Sequence, residues 1–126
     1  MPKASKASAA KMEANEVVES SAQELGEYRV EFATFHKDLD TARFLKGLPD
    51  DRCQSPHWGY VVRGRLTFRY ADREEVFEAG DAYYAPPGHT PFVSAGTEMI
   101  EFSPTEDFNR SLEVIMRNVE SLGHGV

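Results

Sequence analysis

From Glu27 onward the chain alternates in steps of two. Tyr28, Val30, Phe32 and Thr34 interleave with Arg29, Glu31, Ala33 and Phe35, the pattern of a half-buried strand. A second alternating run, HWGYVVRG, puts Trp58, Tyr60 and Val62 on one face and His57, Gly59 and Val61 on the other, and stops at Gly64. Leu66, Phe68 and Tyr70 then alternate with Thr67 and Arg69. Residues 71–74 predict a hairpin turn, residues 75–78 a returning strand, residues 79–81 another turn and residues 82–85 a short strand. Pro86-Pro87-Gly88 forces a corner, because the prolines fix their own φ and the glycine supplies the remaining angle. Residues 92–94 and 97–102, split by Ala95-Gly96, predict a final hairpin. Short strands at this spacing predict an all-β sandwich or barrel that hides its sheet edges by closing.

The period changes twice outside this region. Phe108, Leu112, Ile115, Met116, Val119 and Leu122 recur at helical spacing. Ser103-Pro104-Thr105-Glu106 predicts a capping box with Ser103 at the N-cap and Pro104 at the first helical position, and Gly123 predicts the stop. This helix, residues 104–123, must lay its apolar stripe on the barrel or on a partner. Residues 1–16 are rich in Ala, Ser and Lys and predict a disordered tail, or else a short helix over residues 9–18 docked on a partner subunit. Residues 38–51 read as a loop with one helical turn around residues 41–45. The β domain therefore spans residues 17–103.

Composition narrows the function. A chain of 126 residues forms one domain, and a net charge of −7 argues against nucleic acid as a partner. One cysteine makes no internal disulfide, which fits a reducing cytoplasm. No apolar run approaches the roughly 20 residues of a membrane helix, so we expect no membrane partner.

The candidate chemistry lies in residues 51–64, DRCQSPHWGYVVRG. An extended strand would place Asp51, Cys53 and His57 on one face: a carboxylate, a thiol and an imidazole. With His89 beside the glycine corner, Cys53 and His57 make a set suited to zinc, and also acceptable to iron, nickel or copper, with Asp51 or water completing the shell. Each has a plainer reading. A lone cysteine is often a small buried hydrophobe, although a neighbouring imidazole can make it a reactive thiol. His57 can be a buried histidine bonded to a tyrosine or a carbonyl, His89 a turn residue, and Asp51 a solvated loop residue. Tyr60, Tyr84 and Phe92 are candidate pocket-lining residues as well as candidate core. Glu98 and Glu101 fall on opposite faces of the last strand, where one can point inward as an acid or base or both can be solvated.

Two glycine motifs at a fixed interval give the chain a resemblance. Gly80, DAYYA, Pro86, Pro87, Gly88 is similar to the second motif of the cupin superfamily, and HWGYVVRG to the end of its first, with fifteen residues between Gly64 and Gly80. The resemblance covers residues 28–103 and is to the small single-domain cupins. It implies a cupin, or jelly-roll (double-stranded β-helix), barrel here followed by a C-terminal helix. It also places His57 where these proteins usually carry a glutamate, and Cys53 and Asp51 where they carry histidines. The usual histidine of the second motif is replaced by Pro91. Two functions follow. One is a metal-dependent cupin acting on or binding a small organic molecule through Cys53, His57 and His89. The other is a metal-free cupin whose pocket holds a ligand by hydrogen bonds and stacking. Either is expected as a homodimer, joined through the helix stripe and the strand beginning near Tyr28.

Overall fold

The computed structural model describes residues 3–121. Among the described residues, ten strands make two antiparallel sheets. The strands are β1 (Ala10–Ala14), β2 (Val18–Leu25), β3 (Tyr28–Phe35), β4 (Leu39–Asp40), β5 (His57–Arg63), β6 (Arg65–Arg69), β7 (Glu74–Glu78), β8 (Ala82–Ala85), β9 (Thr90–Val93) and β10 (Glu98–Pro104), and a single helix, α1 (Thr105–Ser121), follows. A six-stranded sheet runs β1-β2-β3-β10-β5-β8 and a four-stranded sheet runs β4-β9-β6-β7. The core lies between them, with Val18, Ala33, Phe35, Val61, Leu66, Phe68, Tyr83, Ala85, Val93 and Met99 in one buried cluster.

The β class expected from the alternation is present, but the two sheets do not close into a barrel. Four edges remain at β1, β8, β4 and β7. Two of them carry charge, Lys11 and Glu13 on β1 and Glu74, Glu75 and Glu78 on β7, which blunts pairing with another chain. The expected final hairpin is not one. β9 pairs with β6 and β4, whereas β10 pairs with β3 and β5, so the Ala95-Gly96 turn carries the chain from one sheet to the other. The β6–β7 hairpin is as expected.

The N-terminal region differs most. Residues 10–14, expected in a mobile tail, pair with β2 although all five are exposed. Their order rests on the backbone ladder, with Lys3 and Lys6 adding ties to Gln23 and Glu98. β2 itself, VESSAQEL, is too polar to register as a strand. It buries the small residues Ser20, Ser21 and Ala22, which a hydrophobic count undervalues.

The capping box also fails. Ser103 is the penultimate residue of β10 and is buried, so its hydroxyl is spent inside the protein. α1 starts at Thr105, whose N–H donates to the Glu27 carbonyl at 3.0 Å, with Glu106 and Asp107 complementing the helix dipole. Gly123 and the last apolar position, Leu122, lie outside the described residues. The stripe of α1 faces its own domain: Phe108, Leu112, Ile115, Met116 and Val119 all line a cavity against the sandwich. Asn118 fastens the helix there, donating to the carbonyls of Phe44 (2.7 Å) and Lys46 (2.9 Å) beside the 3-10 turn Ala42–Phe44. The helix stripe thus lies over a cavity of its own domain, with Phe108, Leu112, Ile115 and Val119 half-buried and Met116 exposed.

Candidate metal centre

β5 begins at His57, and the segment before it bends at Arg52 and Ser55 as it enters the fold. Cys53 forms an isolated antiparallel bridge with His89, its N–H donating to the His89 carbonyl at 2.9 Å. The inward parity expected of residues 53, 55, 57 and 61 holds, since Cys53, Ser55, His57 and Val61 are all buried. The Pro86-Pro87-Gly88 corner, with Gly88 at φ +97°, turns the chain from β8 back so that His89 meets the Cys53 segment. His89, distant in sequence, thus joins the neighbouring pair Cys53 and His57. One ligand atom from each of Cys53, His57 and His89 lies within 4.8 Å of the others, and the imidazole centroids are 4.8 Å apart.

Hydrogen bonding fixes which atoms are free. His89 Nδ1 is 2.7 Å from the Pro86 carbonyl, which can only accept, so Nδ1 carries the proton and Nε2 keeps its lone pair. That Nε2 is buried and has no hydrogen-bond partner. A group in this state costs about 1–3 kcal/mol unless something binds it. His57 Nδ1 is 2.6 Å from Ser103 Oγ and 3.7 Å from Glu101 Oε2, and its Nε2 is 3.8 Å from Cys53 Sγ. An Nδ1–H donated to Ser103 and a thiol proton shared with Nε2 satisfy all three groups in the metal-free protein. The same tautomer leaves Nε2 of both histidines available to an ion that displaces the thiol proton.

Burial sets the electrostatics. It holds His57 and His89 neutral, each lowered to about 3, with Arg29 adding to the effect at His57 and His57 adding to it at His89. It also raises the Cys53 thiol. Neutral imidazole is the ligating form, whereas the thiol must lose its proton on binding. Glu101 is raised to about 7 by burial, partly offset by the phenol of Tyr83, which donates to Oε1 at 2.6 Å, and by Arg29. The Glu101–His57 contact is therefore not an ion pair, because the imidazole is uncharged. Gly59 makes room for Tyr83: a Cβ there would overlap the phenol ring and approach the Ile100 carbonyl to 2.7 Å.

The other candidate residues lie elsewhere. Asp51 is exposed in the 3-10 turn Pro49–Asp51, at φ +54°, where its carboxylate accepts the Gly47 N–H at 3.0 Å. The extended parity on which its inward placement depended breaks at this turn. Tyr60 and Tyr84 point outward, 45% and 48% exposed, because they share the face opposite His57 and Tyr83. Phe92 lies beneath the Arg69 guanidinium and does not line the cavity. Pro91, which stands at the position of the usual second-motif histidine, does line it. Reading the sequence left Glu101 undecided and missed Ser103, Arg29 and Glu31 as site residues. The inward parity of β10 could have found Glu101 and Ser103 together, since they alternate with exposed Phe102.

No protein-family model matches the sequence, and no curated protein sequence matches it. Solved structures do. A RmlC-like cupin from Shewanella frigidimarina NCIMB 400 superposes with a TM-score of 0.55 at 19% identity, covering 83% of this chain and 93% of that one. The fold is cupin-type. A protein of unknown function from Rhizobium leguminosarum gives 0.58 at 16% identity (82% and 95%), and the polyketide cyclase RemF from Streptomyces resistomycificus 0.55 at 13% (82% and 79%). At these identities the likeness speaks to the cupin fold, and the chemistry rests on this chain's own residues.

Proposed function

We propose that this cupin-type domain binds a divalent transition metal through Cys53, His57 and His89, zinc before iron or nickel, and uses that centre to bind or act on a small organic molecule. The observation that carries the reading is His89 Nε2, a buried lone pair with no partner beside a thiol and a second imidazole. One thiolate and two neutral imidazoles are a zinc donor set with a position left for water or a ligand atom. Bound there, the metal would supply Lewis acidity toward an oxygen of that molecule. The surrounding residues hold the set in place: the Pro86 carbonyl orients His89, and the Ser103 hydroxyl orients His57.

The test is elemental analysis of freshly purified protein beside His57→Ala and His89→Ala. The reading expects close to one metal per chain, lost in both variants. Metal-free protein that takes up no zinc, cobalt or nickel would refute it. The metal-free alternative is favoured by one feature, the mutual satisfaction of Cys53 and His57 without an ion. A melting-temperature shift on adding zinc that disappears in His89→Ala separates the two.

We also infer a homodimer, joined through the outer face of the six-stranded sheet. Tyr28, Trp58, Tyr60, Val62, Tyr84 and Phe102 stand there, each 38–48% exposed, and Trp58 packs against Tyr28 and Tyr84 at 5.9 and 5.0 Å. Large aromatic side chains bury roughly 150–250 Å² each when fully covered. The exposed fractions therefore amount to several hundred Å² per copy, and a second copy with its polar rim reaches the smaller class of stable interfaces. Light scattering should give twice the chain mass and fall to the monomer mass in Trp58→Glu.

A further inference from the structure

We propose that the cavity between α1 and the sandwich holds an elongated, uncharged molecule with an apolar body and one hydrogen-bonding oxygen, which points toward Cys53 and His57. The placement of that head rests on the metal-centre reading. The class of body rests on the walls alone.

The cavity has a volume of about 400 Å³, within the range of small-ligand pockets. Its outer wall is the stripe of α1, from Phe108 to Val119, which at 1.5 Å per residue runs roughly 16 Å. Phe35, Leu39, Phe44 and Leu45 face it from the sandwich side. Such a wall suits a long apolar body. The inner end is where Cys53, His57 and Glu101 supply hydrogen-bonding atoms.

Charge decides the rest. Among the lining residues Arg29 is the one permanent cation, and it is already engaged. Its guanidinium meets Glu31 at 3.2 Å and lies 4.1 Å above the Phe108 ring. A carboxylate ligand would find no free cation and would stand beside Glu13, Glu31 and Glu101. An ammonium ligand would fare no better beside the imidazoles, since Glu31 is paired with Arg29, Glu101 accepts from Tyr83, and the remaining carboxylate, Glu13, stands exposed on β1. Either ion would give up its hydration without a partner. An uncharged head avoids both costs.

Three probes with one body test this on the full chain: 4-butylphenol, 4-butylbenzoate and 4-butylbenzylammonium, titrated calorimetrically with and without a chelator. The expected result is 4-butylphenol binding at least tenfold tighter than either ion in the chelated protein. Leu112→Asp should weaken it at least tenfold by charging the wall, and Leu112→Trp should do so by filling the space. The second variant keeps the helix apolar, so unchanged melting with lost binding separates occupancy from misfolding. Equal or tighter binding of an ion, or phenol binding indifferent to both variants, would overturn the proposal. So would a dimer that Leu112→Asp dissociates, since a second copy would then occupy the groove. Absence of metal with phenol binding intact would refute only the metal reading, whereas a metal-loaded protein that ignores the phenol would refute only this one.

Discussion

Replacing Glu101 by glutamine should make the metal-free protein more stable at alkaline pH and more sensitive to acid. The substitution preserves shape and leaves an amide oxygen to accept from Tyr83, so its main effect is to remove a titration. Glu101 moves from 4.5 to about 7 on folding because burial penalises its charge. The folded state therefore holds the proton more tightly. The stability this lends is complete below about 4.5 and is lost as pH rises through 7. A shift of about 2.5 units corresponds to roughly 3 kcal/mol. The glutamine variant should thus match wild type within about 1 kcal/mol at pH 5, where the carboxyl is neutral anyway, and exceed it by about 2–3 kcal/mol at pH 8.5. The histidines act in the opposite sense. Each falls from 6.5 to about 3, so their contribution is complete above 6.5 and is lost on acidification. Between pH 6.5 and 5 each costs roughly 2 kcal/mol. In wild type the gain at Glu101 offsets about half of the pair's loss; in Glu101→Gln nothing does. Urea unfolding at pH 5, 6, 7 and 8.5 with chelator present measures all of this. A stability difference that does not change with pH, or a glutamine variant weaker than wild type at pH 8.5, would show that Glu101 is not buried beside Tyr83 as described.

Three further outcomes follow from the same geometry. Ser103→Ala removes the group that fixes the His57 tautomer and should weaken zinc affinity by 10–100-fold, measured by competition with a chromogenic chelator, while leaving the fold in place. Gly59→Ala drives a methyl into Tyr83 and should destabilise by about 1–3 kcal/mol in urea. Repeating it on Tyr83→Val should cost less, since the ring it strikes is gone, and what remains is the 2.7 Å approach to the Ile100 carbonyl. Asn118→Ala frees the carbonyls of Phe44 and Lys46 and should cost about 1–2 kcal/mol, with amide exchange rising in α1 before the strands.

The sequence made the β class and the inward set Cys53, Ser55, His57 and Val61 legible because strand parity is local and Gly64 marks where β5 ends. Gly64 adopts φ +85° and packs against Thr97, two constraints no other residue meets at once. Closure into a barrel was not legible, since it depends on which strands pair across a turn. Gly96 sits at a crossing between sheets yet looks like any hairpin glycine. The inward reading of Asp51 came from carrying the parity of residues 53–61 back into the 3-10 turn Pro49–Asp51; its exposure fits the alternative reading of a solvated loop residue. Ser103 was misassigned because a serine ahead of Pro-x-Glu has the local chemistry of a cap, and only the approach of β5 to β10 gives its hydroxyl a better partner. His89 was legible as a ligand candidate, but its bare nitrogen depends on the Pro86 carbonyl and could be seen only in three dimensions.

The alternation in β3 carries the more general point. Tyr28, Val30 and Phe32 share one face of the sheet, Tyr28 exposed and Val30 buried, while Arg29 and Glu31 share the inward side with Ala33 and Phe35. Glu101 lies opposite both Glu31 and Gly59, so this inward side continues directly into the Tyr83–Glu101–His57 contacts. Desolvation raises both Glu31 and Glu101, which means that the fold holds these carboxyls at a cost. Local rules broken in one contiguous patch, next to a buried lone pair with no partner, are what a site does to a fold that is otherwise consistent with its sequence.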